Sequence, residues 1–489
     1  MCDLASLGFR HLLTSVAEWC EIKKKFKMKR LLLFAVCWFV FGCLSAQGIA
    51  GYWEGKIGVT KTDSLTIGVQ IDYQGDTLYV ELDSPDQYFI GQPVSKVSFE
   101  DSVLSFQVSS FNLSYEGKLS ADNQHFSGIC KQYKRSFDCT ISRGAQRKSF
   151  PRPQTPKPPY PYSTEEVNFR DRDGKKPLIN GTLTMPKEQP KGLVIFISGS
   201  GWQDRDETIF AHHPFAVIAD TLTKAGFATY RYDDFPQSIF RKSTTYDFAD
   251  GVQLILDSLL KRKDLQGIKV GLLGHSEGSL VASIVAAKDK RVGFTIHLGG
   301  VAQPFEEILL YQSEAILRTS NEMTEEEIQN SVAINKRIYE VIKKSKSKEE
   351  ATERVGKLLD ELSAQLTDEE KTKYNMTPSG KFEMLQTVGS PWFYTIFQID
   401  PIKYLKKCKS TPILAISGEK DLQIDAIVTL NSIHKYLKKN VFHQENLILG
   451  ANHLLQPCTT GSLDEYPLIE TTIAPEVLDI IVKWLETGV

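Results

Sequence analysis

The sequence predicts an α/β catalytic unit on a mostly parallel sheet with a helical insertion, preceded by a small all-β domain. Three observations predict it. Short continuous apolar runs (Leu193 to Ser198, Ile268 to Leu273, Phe294 to Leu298, Pro412 to Ser417) alternate with helical patterns such as Pro214 to Lys224 and Phe248 to Lys261. Strands buried on both faces read as unbroken apolar runs, and strand–helix alternation builds a parallel sheet covered on both sides. Nearer the N-terminus the period is two, as in Leu65 to Asp72, Thr77 to Leu82 and Leu104 to Val108. That is the pattern of half-buried antiparallel strands. Finally, Phe150 to Tyr162 is dense in proline, which favours an extended polyproline II spacer between the two parts.

Composition bounds the function. The chain has 489 residues, with 58 Lys plus Arg against 60 Asp plus Glu, a formal charge of −2. It lacks the basic footprint of a nucleic-acid binder or a polybasic membrane-surface protein. With 41% hydrophobic and 24% charged residues, the whole is folded rather than disordered. At roughly 150 residues per domain, about three structural units are expected. Of eight cysteines, Cys2, Cys20, Cys37 and Cys43 fall in the first 43 residues, and no CxxC pair occurs. A zinc ribbon or thioredoxin-like redox site is thereby excluded.

Residues 1–46 read as a start extension and signal peptide. Lys29 and Arg30 precede the apolar run Leu31 to Phe41, which ends in small residues before Ala46 and Gln47. This is the layout of a secretory signal, with Met28 as initiator and cleavage after Ala46. The run falls short of the roughly 20 residues that span a bilayer, so the mature chain is expected to keep no stable membrane span. Lipid anchoring at Cys43 is the rival reading, disfavoured by bulky Phe41. The protein is expected in the periplasm or outside the cell, where disulfides persist.

Residues 48–147 are the all-β accessory domain, expected to hold six to eight strands. Within it, Gly128 to Thr140 reads as a hairpin turning at Lys134-Arg135. That register sets Cys130 opposite Cys139, near enough for a disulfide. Residues 148–162 are the proline-rich linker, and 163–489 the catalytic domain. A lysine- and glutamate-rich helical insertion, residues 304–400, is expected to serve as a lid.

Chemistry enters at Gly274-His275-Ser276-Glu277-Gly278. This G-x-S-x-G follows a strand and opens a helix, the setting of a nucleophile elbow, in which a sharp turn lifts the serine clear of the sheet. A serine hydroxyl needs a base to take its proton, and an acid to orient that base. The strand Ile413 to Ser417 runs into Gly418-Glu419-Lys420-Asp421, and Asp421 is the chosen acid, with Asp425 and Glu419 as competitors. Asn446 to His453 supplies a last strand, a turn and the base, His453. His297 lies in an apolar strand, His434 in a helical pattern, and His443 at the wrong end of its strand. An oxyanion needs two backbone N–H donors. One is Glu277; the other is placed at Ser200, with Gly201 and Trp202 as alternates. Trp202 and Trp392 are candidate substrate-binding residues, since ligand pockets are mostly apolar. The third glycine position of a dinucleotide fingerprint holds Asp204, and no H-E-x-x-H or phosphate loop occurs. No cofactor and no metal is expected.

Residues from about Tyr162 to Val489 resemble the α/β-hydrolase superfamily, in a bacterial esterase branch related to dienelactone-hydrolase and prolyl-oligopeptidase-like groups. The resemblance rests on Ser198 to Glu207, Gly274 to Gly278, Ser390 to Phe393, Gly418 to Gln423 and Gly450 to His453. It implies the same triad, Ser276, Asp421 and His453. One departure stands out: where such enzymes often carry a glycine after R-Y-D, this chain reads Arg231-Tyr232-Asp233-Asp234-Phe235. The expected function is a secreted serine hydrolase cleaving small carboxylic esters through an acyl-enzyme. A prolyl-oligopeptidase-like peptidase and a non-catalytic binding protein on the same scaffold are the alternatives. Oligomeric state is not legible in the sequence.

Overall fold

The computed structural model describes residues 48–487 apart from 59–63, 76, 88, 109–111, 133–134, 145, 171–177, 321 and 438–441. The expected signal peptide and Cys43 therefore lie outside the described residues. The chain divides into two compact units between Ser149 and Phe150.

The first unit is a sheet of nine antiparallel strands. They are β1 (Gly51–Gly58), β2 (Ser64–Gln74), β3 (Thr77–Ser84), β4 (Phe89–Pro93), β5 (Lys96–Glu100), β6 (Val103–Val108), β7 (Leu113–Leu119), β8 (His125–Gln132) and β9 (Arg135–Arg143). Their order is β4-β3-β2-β1-β9-β8-β7-β6-β5. The two ends of that order, β4 and β5, are consecutive in the chain and joined by Val94 and Ser95 alone. The sheet must therefore curl, and alternate residues meet inside around Trp53, Phe106, Phe126 and Ile141. Trp53 meets Phe126 edge-on, with ring centroids 4.6 Å apart.

The cysteine pairing is corrected here. Gln132 pairs with Arg135, so Cys130 faces Phe137 and Gly128 faces Cys139. The hairpin turns one residue earlier than expected, and the two cysteines become diagonal neighbours on the inner face. Diagonal side chains sit about 7–8 Å apart, beyond the roughly 3.5–4.5 Å Cβ separation of a disulfide. Both are free and buried. Burial pushes the Cys130 thiol up to about 11 and, with Cys130 adding to it, Cys139 to about 12. Neither is a nucleophile at neutral pH. Non-reducing peptide mapping should recover both as separately alkylated peptides after denaturation, and a linked peptide would overturn this register.

The second unit holds β10 (Ser163–Phe169), β11 (Ile179–Met185), β12 (Gly192–Ile197), β13 (Ala228–Tyr232), β14 (Lys269–His275), β15 (Val292–Leu298), β16 (Ile413–Gly418) and β17 (Gln444–Ile448). The sheet order is β10-β11-β13-β12-β14-β15-β16-β17. β11 runs antiparallel to both neighbours, and every pair from β13 to β17 is parallel. Helices α1 (Pro214–Lys224), α2 (Thr245–Leu259) and α3 (Glu277–Lys288) follow β12, β13 and β14. The insertion after β15 carries α4 (Phe305–Ser320), α5 (Glu325–Lys344), α6 (Lys348–Ser363), α7 (Asp368–Lys373), α8 (Pro378–Val388) and α9 (Pro391–Gln398). Helix α10 (Ala426–Leu437) follows β16 and α11 (Pro475–Glu486) closes the domain.

The apolar runs are explained by two cores, one on each face. In β12, Leu193, Ile195 and Ile197 pack with α2, α3 and α10. Val194 and Phe196 point the other way, towards α1 and α11. The insertion has its own core around Ile338, Ile342, Val355, Leu359 and Phe397, and capping boxes at Thr324 and Thr367 start two of its helices. Among the described residues no helix is long and apolar enough to cross a membrane.

The proline-rich segment is not a free spacer, because it docks on the second unit. Arg152 donates to the main-chain oxygens of Phe210 and Pro467 at 2.8 and 2.7 Å. The Gln154 side chain accepts from Thr472 N and donates to Ile473 O. Tyr162 OH donates to Asp220 at 2.8 Å.

Candidate active site

Strand β14 delivers Ser276 into a backbone conformation, φ 51° and ψ −121°, that non-glycine residues avoid. The flanking glycines make this possible. A Cβ on Gly274 would lie 2.2 Å from the Gly278 carbonyl, and one on Gly278 would lie 2.1 Å from Ile197 O. The G-x-S-x-G pattern is thus a steric requirement of packing β14, α3 and β12 together. Helix α3 starts at the next residue, so its positive end lies at the serine.

His453 follows β17, and its Nδ1 lies 2.7 Å from Asp421 Oδ2, with both residues buried. The other Asp421 oxygen accepts from Gln423 N and Ile424 N, each at 2.8 Å. The carboxylate is therefore satisfied as an anion and directed at the ring. The competing acids are occupied elsewhere: Asp425 accepts from Val428 N, and Glu419 accepts from Gly450 N in the His453 turn. Of the other histidines, His434 is exposed beside Glu445. Burial pulls both His297 and His443 down to about 4. Among the described residues no hydrogen bond joins Ser276 Oγ to His453; such bonds commonly tighten only when substrate binds.

The loop after β12 passes against the nucleophile, since a Cβ on Gly199 would lie 3.2 Å from Ser276 Cβ. Ser200 Oγ donates to Glu277 Oε2 at 2.8 Å, joining the two residues assigned as oxyanion donors. The Glu277 side chain was missed at the sequence level, where only its N–H had a role. Its buried carboxylate also accepts from Thr245 Oγ1 at 2.7 Å and from Trp392 Nε1 at 2.9 and 3.1 Å. Burial pushes Glu277 up, against the pull of these donors. A carboxylate inside the elbow motif was the available signal.

Trp392 thus joins the site from α9, holding its nitrogen on Glu277 and its ring against Phe305. Trp202 is 42% exposed and donates to Phe235 O at 3.0 Å. Among the described residues no ring contact joins the two tryptophans. Where a glycine was expected after R-Y-D, the two aspartates brace the loop instead. Arg205 donates to the Asp233 carboxylate through Nε and Nη2, at 3.0 and 2.7 Å. Asp234 accepts from Gln203 N at 2.8 Å. Burial, helped by Glu277 and Glu207, pushes Asp234 up to about 8.

The sheet order, with one antiparallel strand and the strained serine after its fifth strand, decides the class. The catalytic unit has the α/β-hydrolase fold. Residues 248–358, which include the elbow, match the family described as BAAT / Acyl-CoA thioester hydrolase C terminal. Esterase EstD of Thermotoga maritima is 24% identical over 66% of this chain and 69% of its own. A thermostable carboxyl esterase from Bacillus coagulans is similar over 66% of this chain and 98% of its own, at 14% identity and a TM-score of 0.40. For dienelactone hydrolase from Anabaena variabilis the figures are 67%, 99%, 14% and 0.37.

Two predictions follow from the buried carboxylates. Unfolded, Asp234 releases its proton near pH 4, whereas folded it holds it to about pH 8. The folded state then binds more protons in between, so this residue makes stability fall as pH rises from about 4 to about 8. Asp234→Asn keeps an oxygen for Gln203 N–H and has no proton to lose. Its urea midpoint relative to the parent should climb across that window, and parallel pH profiles would contradict the assignment. Trp392→Phe removes a donor from buried Glu277 while keeping an aromatic ring. A loss of about 1–3 kcal/mol in urea unfolding is expected; an equally stable variant would show the contact to be idle.

Proposed function

We propose that this α/β-hydrolase is an exported serine esterase that cleaves small carboxylic esters through an acyl-enzyme. In this reading Asp421 holds the His453 ring with Nε2 towards the serine. His453 takes the Ser276 proton as Oγ adds to the ester carbonyl, and the oxyanion is met by the N–H groups of Ser200 and Glu277. His453 then returns the proton to the departing alcohol. It next activates water, whose attack on the acyl group frees the acid and restores the serine.

The single observation that carries the reading is the 2.7 Å Asp421–His453 contact beside a serine in strained backbone. The carboxylate is held on its other oxygen by Gln423 N–H and Ile424 N–H, which leaves Oδ2 for the His453 ring at the end of the strands that present the elbow. Export rests on the basic and apolar pattern before Ala46. The match over residues 248–358 favours one second reading, hydrolysis of acyl thioesters by the same serine. A peptidase is disfavoured, because the N-terminal unit is a single nine-stranded sheet and not the bladed propeller with which such enzymes screen peptides.

Short-chain p-nitrophenyl esters, acyl thioesters and aminoacyl-anilides compared side by side distinguish the readings. Ser276→Ala should lose roughly 10⁴-fold or more in turnover and all labelling by a fluorophosphonate, with an unchanged melting profile. Asp421→Asn should fall by a similar order while Asp425→Asn stays mild. A folded Ser276→Ala enzyme with full activity would refute the mechanism.

A further inference from the structure

The elbow carries two ionisable side chains that the mechanism above does not use, Glu277 and His275. His275 is buried immediately before the nucleophile. Its Nδ1 lies 2.9 Å from Glu207 Oε1, and its Nε2 lies 3.2 Å from the main-chain oxygen of His453. The carbonyl has no proton to offer. Glu207 Oε1 already accepts the Gly199 N–H at 2.8 Å. A neutral imidazole carries one N–H and one bare lone pair, so either tautomer would aim that lone pair at an acceptor in a buried site. With Glu207 ionised, only the imidazolium, with two N–H groups, satisfies both contacts.

The surroundings are built for that charge. Glu207 is buried and sits at φ 53°, a left-handed conformation that a non-glycine residue keeps only where its neighbours impose it. The charged or titratable groups facing His275 are Glu207 from the loop after β12, Asp421 after β16 and His453 after β17, whose ring centroid is 4.8 Å away. Burial pulls His275 down, but Glu207 and the hydrogen bonds outweigh it and leave the ring raised above its ordinary value.

We propose that Glu207 keeps His275 as an imidazolium through neutral pH, and that this buried pair is a positioning device for the site. His275 fixes the main chain of His453, and with it the height of the general base over Ser276. Glu207 fixes the Gly199–Ser200 turn, which supplies an oxyanion donor. One ion pair therefore ties together the elbow, the oxyanion loop and the histidine loop. This inference rests on the esterase reading for its kinetic consequence, though not for the charge on the ring.

The test combines a spectrum with kinetics on the full-length protein. With ¹⁵N-labelled histidine, and His275→Gln to assign the signals, both ring nitrogens of His275 should be protonated at pH 8. In Glu207→Gln, which keeps an oxygen for Gly199 N–H, one nitrogen should be bare. A neutral His275 ring in the parent would overturn the proposal. On p-nitrophenyl esters, His275→Gln and Glu207→Gln should each lower kcat by about 10²-fold with KM little changed, as expected when a reacting group is displaced by about 1 Å. Unchanged kcat in a folded Glu207→Gln enzyme would also overturn it, even if His275→Gln fails to fold. If the parent hydrolyses no ester, or Ser276→Ala stays active, the esterase reading falls. The nitrogen spectrum still decides the charge on His275.

Discussion

The backbone at Ser276 is the constraint on which the rest of the catalytic unit depends. An L-residue at φ 51° and ψ −121° is strained, and it persists only because the structure around it leaves no alternative. Ser276 N–H is bound to Leu298 O of the neighbouring strand, and Ser279 N–H closes back on Ser276 O. Gly274 and Gly278 let α3 approach β12 and β14 to distances that no Cβ would tolerate. The strain is balanced by the apolar area that this close approach buries on the α3 face of the sheet, where Leu280, Val281 and Ile284 meet Ile195 and Ile197. Fold stability and the exposed hydroxyl are thus two results of one packing solution.

Around that turn the unit gathers more buried carboxylates than an apolar core would accept, and each has its own donors. Asp421 has two main-chain N–H groups and a histidine, Glu277 has two hydroxyls and an indole, and Glu207 has a main-chain N–H and His275. A buried charge without partners is strongly unfavourable, so each group also dictates where its donors must stand. The donors come from separate loops at the same end of the sheet. Electrostatic satisfaction therefore does for the loops what apolar packing does for the strands.

This division explains what could be read from the sequence. The parallel sheet was legible because strands buried on both faces must be unbroken apolar runs, as Leu193 to Ile197 is. The elbow was legible because its glycines answer a steric demand local to five residues. Asp421 and His453 were legible from their places after the last two strands. The β8–β9 register was not, since a Lys-Arg turn carries none of the Asn-Gly chemistry that pins a two-residue hairpin. Docking of the proline-rich segment was hidden because it depends on Arg152 and Gln154 reaching main-chain groups over 300 residues away in sequence at Pro467 and Ile473. The roles of Glu277 and His275 were hidden for the same reason. Their partners, Trp392, Thr245, Glu207 and the His453 carbonyl, are set by tertiary structure alone.

The helical insertion belongs to the site by the same logic. It folds largely around its own core, although Ile308 of α4 is buried in the core of the sheet. Two directional bonds nevertheless run from it to the chemistry. Tyr311 OH of α4 donates to the main-chain oxygen of Asp421 at 2.7 Å, and Trp392 of α9 donates to Glu277. One reaches the Asp421 loop, the other the residue after Ser276. A displacement of the insertion as a body would break both, stripping a donor from a buried carboxylate and a brace from the loop that aims His453. The insertion is therefore coupled to the geometry of the loops that carry Ser276, Asp421 and His453.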